Sequence, residues 1–112
     1  MTRYKIVLVR FPFDDLSSDK VRPALCLTEP LSARRYVLVA FISSQVPTTI
    51  EATDFVIDDQ HADFARTGLR VISVVSLQRV LSVPESLILR ELGVLPESLW
   101  EQVKAKLAAM LL

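Results

Sequence analysis

Two short stretches of the sequence place polar side chains at the ends of apolar runs. Arg22 stands before Pro23 at the start of one run, and Ser43, Ser44 and Gln45 follow the end of another. Because a proline disfavours the helical region for the residue before it, we predict that Arg22 is extended at a strand entrance. There its permanent charge can meet a ligand. Arginines and serines at such positions are also common as a solvated charge and as turn formers, so the residues alone leave both interpretations open.

The composition argues against several familiar catalytic and metal-binding arrangements. The single histidine, His61, cannot form the two-imidazole acid–base pair of some ribonucleases. Its neighbours Asp58, Asp59 and Asp63 suggest a metal site, but one histidine without a second ligand cluster argues against zinc. Adjacent carboxylates, which can hold Mg²⁺, are common on any soluble surface. Cys26 alternates within an apolar strand, which predicts a buried, inert thiol. With no glycine-rich phosphate loop in the sequence, we expect neither a metal nor a cofactor.

Length and charge limit the class of protein. The chain has 112 residues, 51% of them apolar, which predicts a single globular domain over residues 1–112. Thirteen basic and 13 acidic residues balance, so any nucleic-acid contact must use a local basic patch. The longest uninterrupted apolar run, Val37–Ile42, is too short to span a bilayer, and a strand pattern starts directly after Arg3. We therefore expect a cytoplasmic protein without a membrane contact.

The apolar patterns predict strands first and a helix last. Such an order is typical of an α+β fold in which a helix packs on a twisted, partly closed antiparallel sheet. The first two strands flank the polar loop Asp14–Lys20, as in a hairpin with a long connection. Residues Leu69–Leu81 fit one or two strands, and Pro84–Leu92 fits either a helix or a last strand, of which we favour the strand. The remaining predicted strands are Tyr4–Phe11, Ala24–Thr28, Tyr36–Ile42 and Asp54–Ile57.

The last segment predicts one amphipathic helix of about four turns. Pro96 suits the first helical position, and Glu97 places a negative charge at the positive end of the helix dipole. Apolar residues recur at helical spacing and predict a stripe that packs on the sheet. The stripe consists of Leu99, Val103, Leu107 and Met110, widened by Trp100 and Leu111.

The whole chain resembles the PemK/MazF family of type II toxins. Four stretches carry the resemblance, in the family's order and spacing: IVLVRFPFDDLSSDKVRPALCL, VLVAFISSQ, TGLRVISVVSL and SLILRELGVL. The resemblance implies an SH3-like small barrel, of the kind shared by CcdB and PemK, with a C-terminal helix. It also implies a homodimer, and a cognate antitoxin whose flexible segment covers an RNA groove. DNA would be bound only indirectly, through the antitoxin.

The resemblance further implies a sequence-specific, metal-independent endoribonuclease that cleaves single-stranded RNA. The family's catalytic arginine and threonine match Arg22 and Ser43. A guanidinium can hold two phosphate oxygens, and a hydroxyl can donate to the same oxyanion, while the RNA supplies its own 2′-hydroxyl as nucleophile. The loop Asp14–Lys20 would then lie over the RNA as a lid. The expected RNA contacts are Ser17, Ser18, Lys20, Ser44 and Gln45.

The chain departs from the family pattern at several positions. Tyr4 and Lys5 stand where the family usually has a glycine and an acidic residue, and Ser76 and Gln78 stand where many members have an arginine and an aspartate. Two other functions stay open beside the nuclease, and these departures bear on the second of them. One is a toxin that binds a protein such as DNA gyrase through the end of its helix, over Lys104–Leu112. The other is a catalytically silent family member.

Overall fold

A six-stranded antiparallel sheet and one C-terminal α-helix form the fold. The computed structural model describes residues 1–11 and 20–112. The predicted lid up to residue 19, with Ser17 and Ser18, lies outside the described residues. The sheet order is β4-β5-β3-β2-β1-β6, which confirms the α+β class. The elements are β1 (Lys5–Phe11), β2 (Lys20–Cys26), β3 (Tyr36–Ser43), β4 (Asp54–Ile57), a 3-10 helix (Phe64–Thr67), β5 (Ser73–Pro84), a 3-10 turn (Glu85–Leu87), β6 (Ile88–Val94) and α1 (Glu97–Leu111).

Strand β2 begins four residues earlier than the sequence predicts. It pairs with β1 in an uninterrupted antiparallel register from Ile6 opposite Leu25 to Phe11 opposite Lys20. Pairing with β1 therefore extends β2 to the polar residues before Pro23. Arg22 lies inside β2, opposite Val9, rather than at its entrance. The strand interpretation of the segment before Gly93 is confirmed for β6, which pairs with β1 on the other side.

Both faces of the sheet are buried, as the apolar pattern of β1 predicts. Ile6 belongs to a core cluster that also contains Leu99 and Val103 of α1. Val7 and Val9, whose side chains point the opposite way, belong to a second cluster with residues of β2, β3 and β5. Each face of the sheet thus carries an apolar cluster, and the helix packs on one of the two.

The 3-10 helix after β4 packs against β6, the opposite edge of the sheet. A Cβ atom on Gly93 of β6 would lie 2.2 Å from the Arg66 carbonyl oxygen, and one on Gly68 would lie 2.1 Å from the Leu92 oxygen. Gly68 also ends the 3-10 helix in the left-handed conformation, with φ 72°. The two glycines let the backbone of the 3-10 helix and that of β6 approach closely.

Helix α1 starts one residue later than predicted. Pro96 is its N-cap, with φ −57° and ψ 144°, rather than its first helical residue. Leu107 and Met110 pack on the core together with Trp100, but Leu111, predicted to join the stripe, is 75% exposed. In the described residues no helix has the length and apolar character needed to cross a bilayer.

Tyr4 and Lys5, the two departures at the start of β1, have clear structural roles. Tyr4 has φ 71°, a left-handed conformation that favours glycine, and its ring stacks on Trp100 with centroids 4.6 Å apart. Lys5 pairs with Glu91 of β6 at 2.9 Å, and that hydrogen bond raises the pKa of Lys5. The aromatic stack and the ion pair both attach the start of β1 to its neighbours.

Candidate active site

The end of the β2–β3 ladder forms a groove that contains Arg22 and Ser43. Towards the groove, the paired residues of the two strands are Cys26–Val39, Leu25–Ala40 and finally Ala24–Phe41. If this register is extended by two residues past the Ala24–Phe41 pair, Arg22 lies opposite Ser43. The groove there has a volume of about 590 Å³, and both residues line it. Sequence positions 21 residues apart are therefore brought together by the strand pairing.

The same groove also receives two of the predicted RNA-binding residues, Ser44 and Gln45. The segment before β5 also lines it and brings a second cation, Arg70, and an exposed apolar side chain, Val71. Lys20 is exposed at the start of β2 and shares a strand face with Arg22, but it is not among the lining residues. Its predicted phosphate contact stays a prediction, as do the roles of Ser17 and Ser18, which lie outside the described residues.

Strand β5 contributes a third arginine that the sequence analysis missed. Its register against β3 shifts between Ala40–Val80 and Ile42–Val75, so that four residues of β5 stand opposite Phe41 alone. Within this bulge Ser76 pairs with Asp54 of β4 instead. Leu77 is fully buried, and Arg79 lies over the Phe41 ring at 5.8 Å from its centroid.

Arg79 and Arg22 line one cavity of about 150 Å³. Ser43, Phe41, Ile42 and Ser76 are its remaining lining residues. Ser76 stands where many members of the family have an arginine. It borders the same cavity as Arg79, three positions later in the sequence. A sequence comparison by position does not reveal this, because the bulge decides which side chains of β5 reach the site.

A third concavity, of about 370 Å³, lies on the other side of Ser43. Arg79, Gln78 and Gln45 line it together with two carboxylates, Glu51 and Asp54. Asp54 is 6% exposed, and its carboxylate accepts a hydrogen bond from the Glu51 backbone N–H at 2.9 Å. Ser43 lines all three cavities, so it lies at the centre of the site.

The hydroxyl of Ser43 is oriented by the turn that follows. The backbone N–H of Gln45 donates to Ser43 Oγ at 3.0 Å. A serine hydroxyl carries one donor hydrogen as well as its acceptor lone pairs. With the oxygen already accepting from Gln45, the hydrogen can be donated to an anion in the groove.

Four cations of the described residues form ion pairs, and the two arginines of the smallest cavity are not among them. Lys5, Arg35, Arg66 and Lys104 each form an ion pair with a carboxylate. Arg22 and Arg79 have no ion pair with any carboxylate of residues 1–11 and 20–112. A surface on which β2 and β5, on either side of β3, each carry an unpaired guanidinium group is suited to bind a phosphate group.

His61 does not belong to this site. Its Nδ1 accepts the backbone N–H of Asp63 at 3.0 Å, so Nε2 carries the proton in the neutral ring and faces Ser98 Oγ at 3.3 Å. A ring in this tautomer is not a base for the serine. Among the described residues, no three His, Cys, Asp or Glu side chains are grouped around a possible metal position.

Cys26 is buried, as the sequence predicts. Burial raises the pKa of its thiol to about 11. A thiol of this kind is a poor nucleophile at neutral pH, because the thiolate is the reactive form.

Comparisons with known proteins identify the family and the fold. A family model described as PemK-like, MazF-like toxin of type II toxin–antitoxin system matches residues 2–111. Among solved structures, a Mycobacterium tuberculosis toxin, MazF-mt6, is similar over 94% of this chain and 93% of its own, with 27% identity and a TM-score of 0.69. No curated protein sequence gave a significant match.

A further solved structure supports the fold. An endoribonuclease in complex with its cognate antitoxin, from a mycobacterial species, covers 99% of this chain and 94% of its own, with 15% identity and a TM-score of 0.68. Because the family model spans nearly the whole chain and the fold agrees, the protein belongs to the PemK-like, MazF-like family of toxins of type II toxin–antitoxin systems.

Proposed function

We propose that the protein is a metal-independent endoribonuclease that cleaves single-stranded RNA at defined sequences. The observation that carries this proposal is the cavity in which Arg22 and Arg79 flank Ser43. Two guanidinium groups and a hydroxyl donor provide hydrogen bonds to the non-bridging oxygens of one phosphodiester. These donors gain strength as negative charge develops on the phosphorus, which is the requirement for transition-state stabilisation.

The reaction uses the nucleophile of the substrate itself. The 2′-oxygen forms a bond to phosphorus, the bond from phosphorus to the 5′-oxygen breaks, and the products are a 2′,3′-cyclic phosphate and a 5′-hydroxyl. The proton lost from the 2′-oxygen and the proton gained by the 5′-oxygen balance through exchange with water. Arg22, Arg79 and Ser43 stabilise the pentavalent phosphorus, and this role does not need a metal ion.

The two larger cavities extend from the phosphate position in different directions. The 590 Å³ groove beside Arg22 and the 370 Å³ concavity beside Arg79 have room for the nucleotides on the two sides of the cleaved bond. Glu51 and the amides of Gln45 and Gln78 can accept or donate hydrogen bonds to base edges in the second of these. Single-stranded RNA, whose bases are splayed and accessible, suits such a surface.

A cognate antitoxin is the second expected partner. A solved structure with the same fold is an endoribonuclease bound to its antitoxin. The unpaired arginines of the groove would attract an acidic antitoxin segment, which competes with RNA for the same charges. A homodimer, a cytoplasmic location and DNA contact through the antitoxin complete the proposal.

The test is a cleavage assay with purified protein on mixed single-stranded RNA, in EDTA and in Mg²⁺. Equal cleavage in both, with 5′-hydroxyl ends, is the expected result, and Arg22→Ala abolishes it. Arg34→Ala is the matched control, since Arg34 is exposed and lines none of the three cavities. A second test follows the growth of cells that express the protein without its antitoxin. Growth arrest that survives Arg22→Ala but is lost on removal of Leu111 and Leu112 would instead indicate a target bound by the end of the helix. Intact RNA under every condition would indicate a silent family member.

A further inference from the structure

One backbone hydrogen bond shows which residue pairs of β2 and β3 exchange hydrogen bonds and which do not. The N–H of Leu27 donates to the carbonyl of Leu38 at 2.8 Å, so these two residues face each other as a hydrogen-bonded pair. In an antiparallel ladder such pairs alternate with non-bonded ones. In the observed register the next bonded pairs are Leu25 with Ala40 and then Pro23 with Ile42, because Ala24 lies opposite Phe41.

Pro23 therefore occupies a position where a strand residue would donate to its partner. A bonded pair exchanges two hydrogen bonds, and the N–H of Ile42 can still donate to the Pro23 carbonyl. The reverse bond cannot form, because proline has no N–H. In the described part of the chain no side chain donates to the Ile42 carbonyl either. The Ile42 oxygen thus keeps its acceptor capacity at the point where the ladder ends.

This oxygen belongs to a residue that lines the active-site cavities. Ile42 borders both the 590 Å³ groove and the smaller cavity between Arg22 and Arg79. Its side chain is packed in the core and the residue is 5% exposed, so the main chain is what it presents to the groove. Its immediate neighbour in sequence is Ser43, which supplies a donor to the same region.

The site therefore combines donors for a phosphate with one acceptor beside them. In an RNA strand the group next to the cleaved phosphate that can donate to such an acceptor is the 2′-hydroxyl, and DNA lacks it. A backbone acceptor that a bound strand covers without giving it a donor is costly, so a substrate that supplies the donor is favoured over one that does not.

We propose that the Ile42 carbonyl accepts a hydrogen bond from the 2′-hydroxyl of the bound RNA, and that Pro23 is the positioning residue that keeps this oxygen free. The contact selects ribose over deoxyribose and turns the 2′-oxygen toward the phosphorus. The carbonyl does not take the proton. The inference rests on the proposed RNA substrate, and it assigns to the proline beside Arg22 a function of its own.

The first test is structural and needs no RNA. In Pro23→Ala, the new N–H at position 23 is expected to bond to the Ile42 carbonyl. Its hydrogen exchange, followed by NMR, should be about 100-fold or more slower than in an unfolded chain. Exchange at the rate of an exposed amide in the folded variant would overturn the inference, because the oxygen would then point elsewhere.

The second test measures ribose selection. Binding is compared for a single-stranded RNA and its 2′-fluoro analogue, which cannot donate, with Arg22→Ala used to prevent cleavage. The Arg22→Ala protein should prefer the RNA by about tenfold, as for one hydrogen bond. Adding Pro23→Ala should reduce the preference to less than about twofold. The control Pro30→Ala, which removes a proline outside the groove, should leave it unchanged.

The possible results separate this inference from the proposed function. An undiminished RNA preference in the Pro23→Ala protein, or no preference before that change, overturns the role of the Ile42 oxygen while RNA cleavage by the unmodified protein stands. Failure of the unmodified protein to cleave or bind any RNA overturns both. Fold is monitored in each variant by thermal unfolding, and the added ladder bond should not lower the midpoint.

Discussion

Arg79 lies over the ring of Phe41, with its guanidinium carbon 5.8 Å from the ring centroid. The two residues face each other because the bulge of β5 stands opposite Phe41 in the register of β3. A cation held over an aromatic face loses part of its side-chain freedom before any ligand binds. The pair thus holds a second guanidinium in place at the cavity that Arg22 and Ser43 also line.

We expect Arg79→Gln to lower the rate of RNA cleavage about 10- to 100-fold, as for the loss of one transition-state donor. The maximal rate should fall more than the substrate affinity, because the charge on the phosphate oxygens increases during the reaction. Arg79→Lys should retain part of the rate, since it keeps the charge but loses the planar donor pair. Single-turnover cleavage at several protein concentrations separates the two effects. A weaker affinity with an unchanged maximal rate would place Arg79 at a flanking nucleotide instead.

Ser43 should tolerate threonine but not alanine. Ser43→Ala removes both the donor to the phosphate and the acceptor of the Gln45 N–H, and we expect cleavage to slow by about 100-fold. Ser43→Thr keeps the hydroxyl and restricts its rotamer, so activity should stay within about threefold of the unmodified protein. Ser86→Ala is the control, because Ser86 lines none of the three cavities. Full activity of Ser43→Ala in the same assay would remove Ser43 from the proposed site.

Replacing Tyr4 by glycine should change the stability in two opposite ways, because it relieves backbone strain and removes the packing of the ring. Glycine relieves a left-handed residue, a gain of roughly 1–2 kcal/mol, but removal of a buried aromatic ring costs about 3–5 kcal/mol. We therefore expect Tyr4→Gly to lower the free energy of unfolding by about 2–3 kcal/mol. Tyr4→Phe keeps the stack on Trp100 and should change it by less than about 0.5 kcal/mol. Urea denaturation measures both. A glycine variant more stable than the unmodified protein would show that the strain dominates.

The ion pair between Arg66 and Glu97 should make stability depend on acidity. Arg66 donates to both Glu97 carboxylate oxygens, at 3.0 and 3.2 Å, and this contact holds the pKa of Glu97 below its ordinary value of 4.5. A depressed carboxyl pKa stabilises the folded state above the ordinary value, and the contribution is lost as the pH falls through the folded pKa. Arg66→Gln should therefore be less stable than the unmodified protein at pH 7, with the difference shrinking as the pH falls below 4.5. Denaturation curves at several pH values check this, and a difference independent of pH would exclude the ion pair as its cause.

The sequence predicted the strands with the simplest patterns. Strand β4 occupies the predicted residues Asp54–Ile57, and β3 differs from its prediction by one residue at its end. The start of β2 was wrong because the residues before Pro23 are extended by pairing with β1, which no local pattern reveals. Pro96 was placed one position too far into α1, since proline is compatible with the backbone angles of both positions.

The candidate site shows the same limit. Arg22 and Ser43 were selected by residue type and by the family resemblance, and strand pairing explains why they lie together. Arg79 carried no signal in the sequence, because its position depends on the register shift of β5 against β3. The sequence also could not show that the Ile42 carbonyl lacks a donor. That depends on which residue pairs of β2 and β3 exchange backbone hydrogen bonds, and not on a side chain.

The bulge of β5 has a consequence for how such a toxin can diverge. Four residues, Ser76–Arg79, stand between the two stretches of β5 that pair with β3, and only Leu77 of the four is fully buried. Ser76, Gln78 and Arg79 line the site without belonging to the core. Selection can therefore exchange these three side chains, and with them the RNA sequence that is recognised, at little cost in folding stability. The core needs only Leu77 to stay in place.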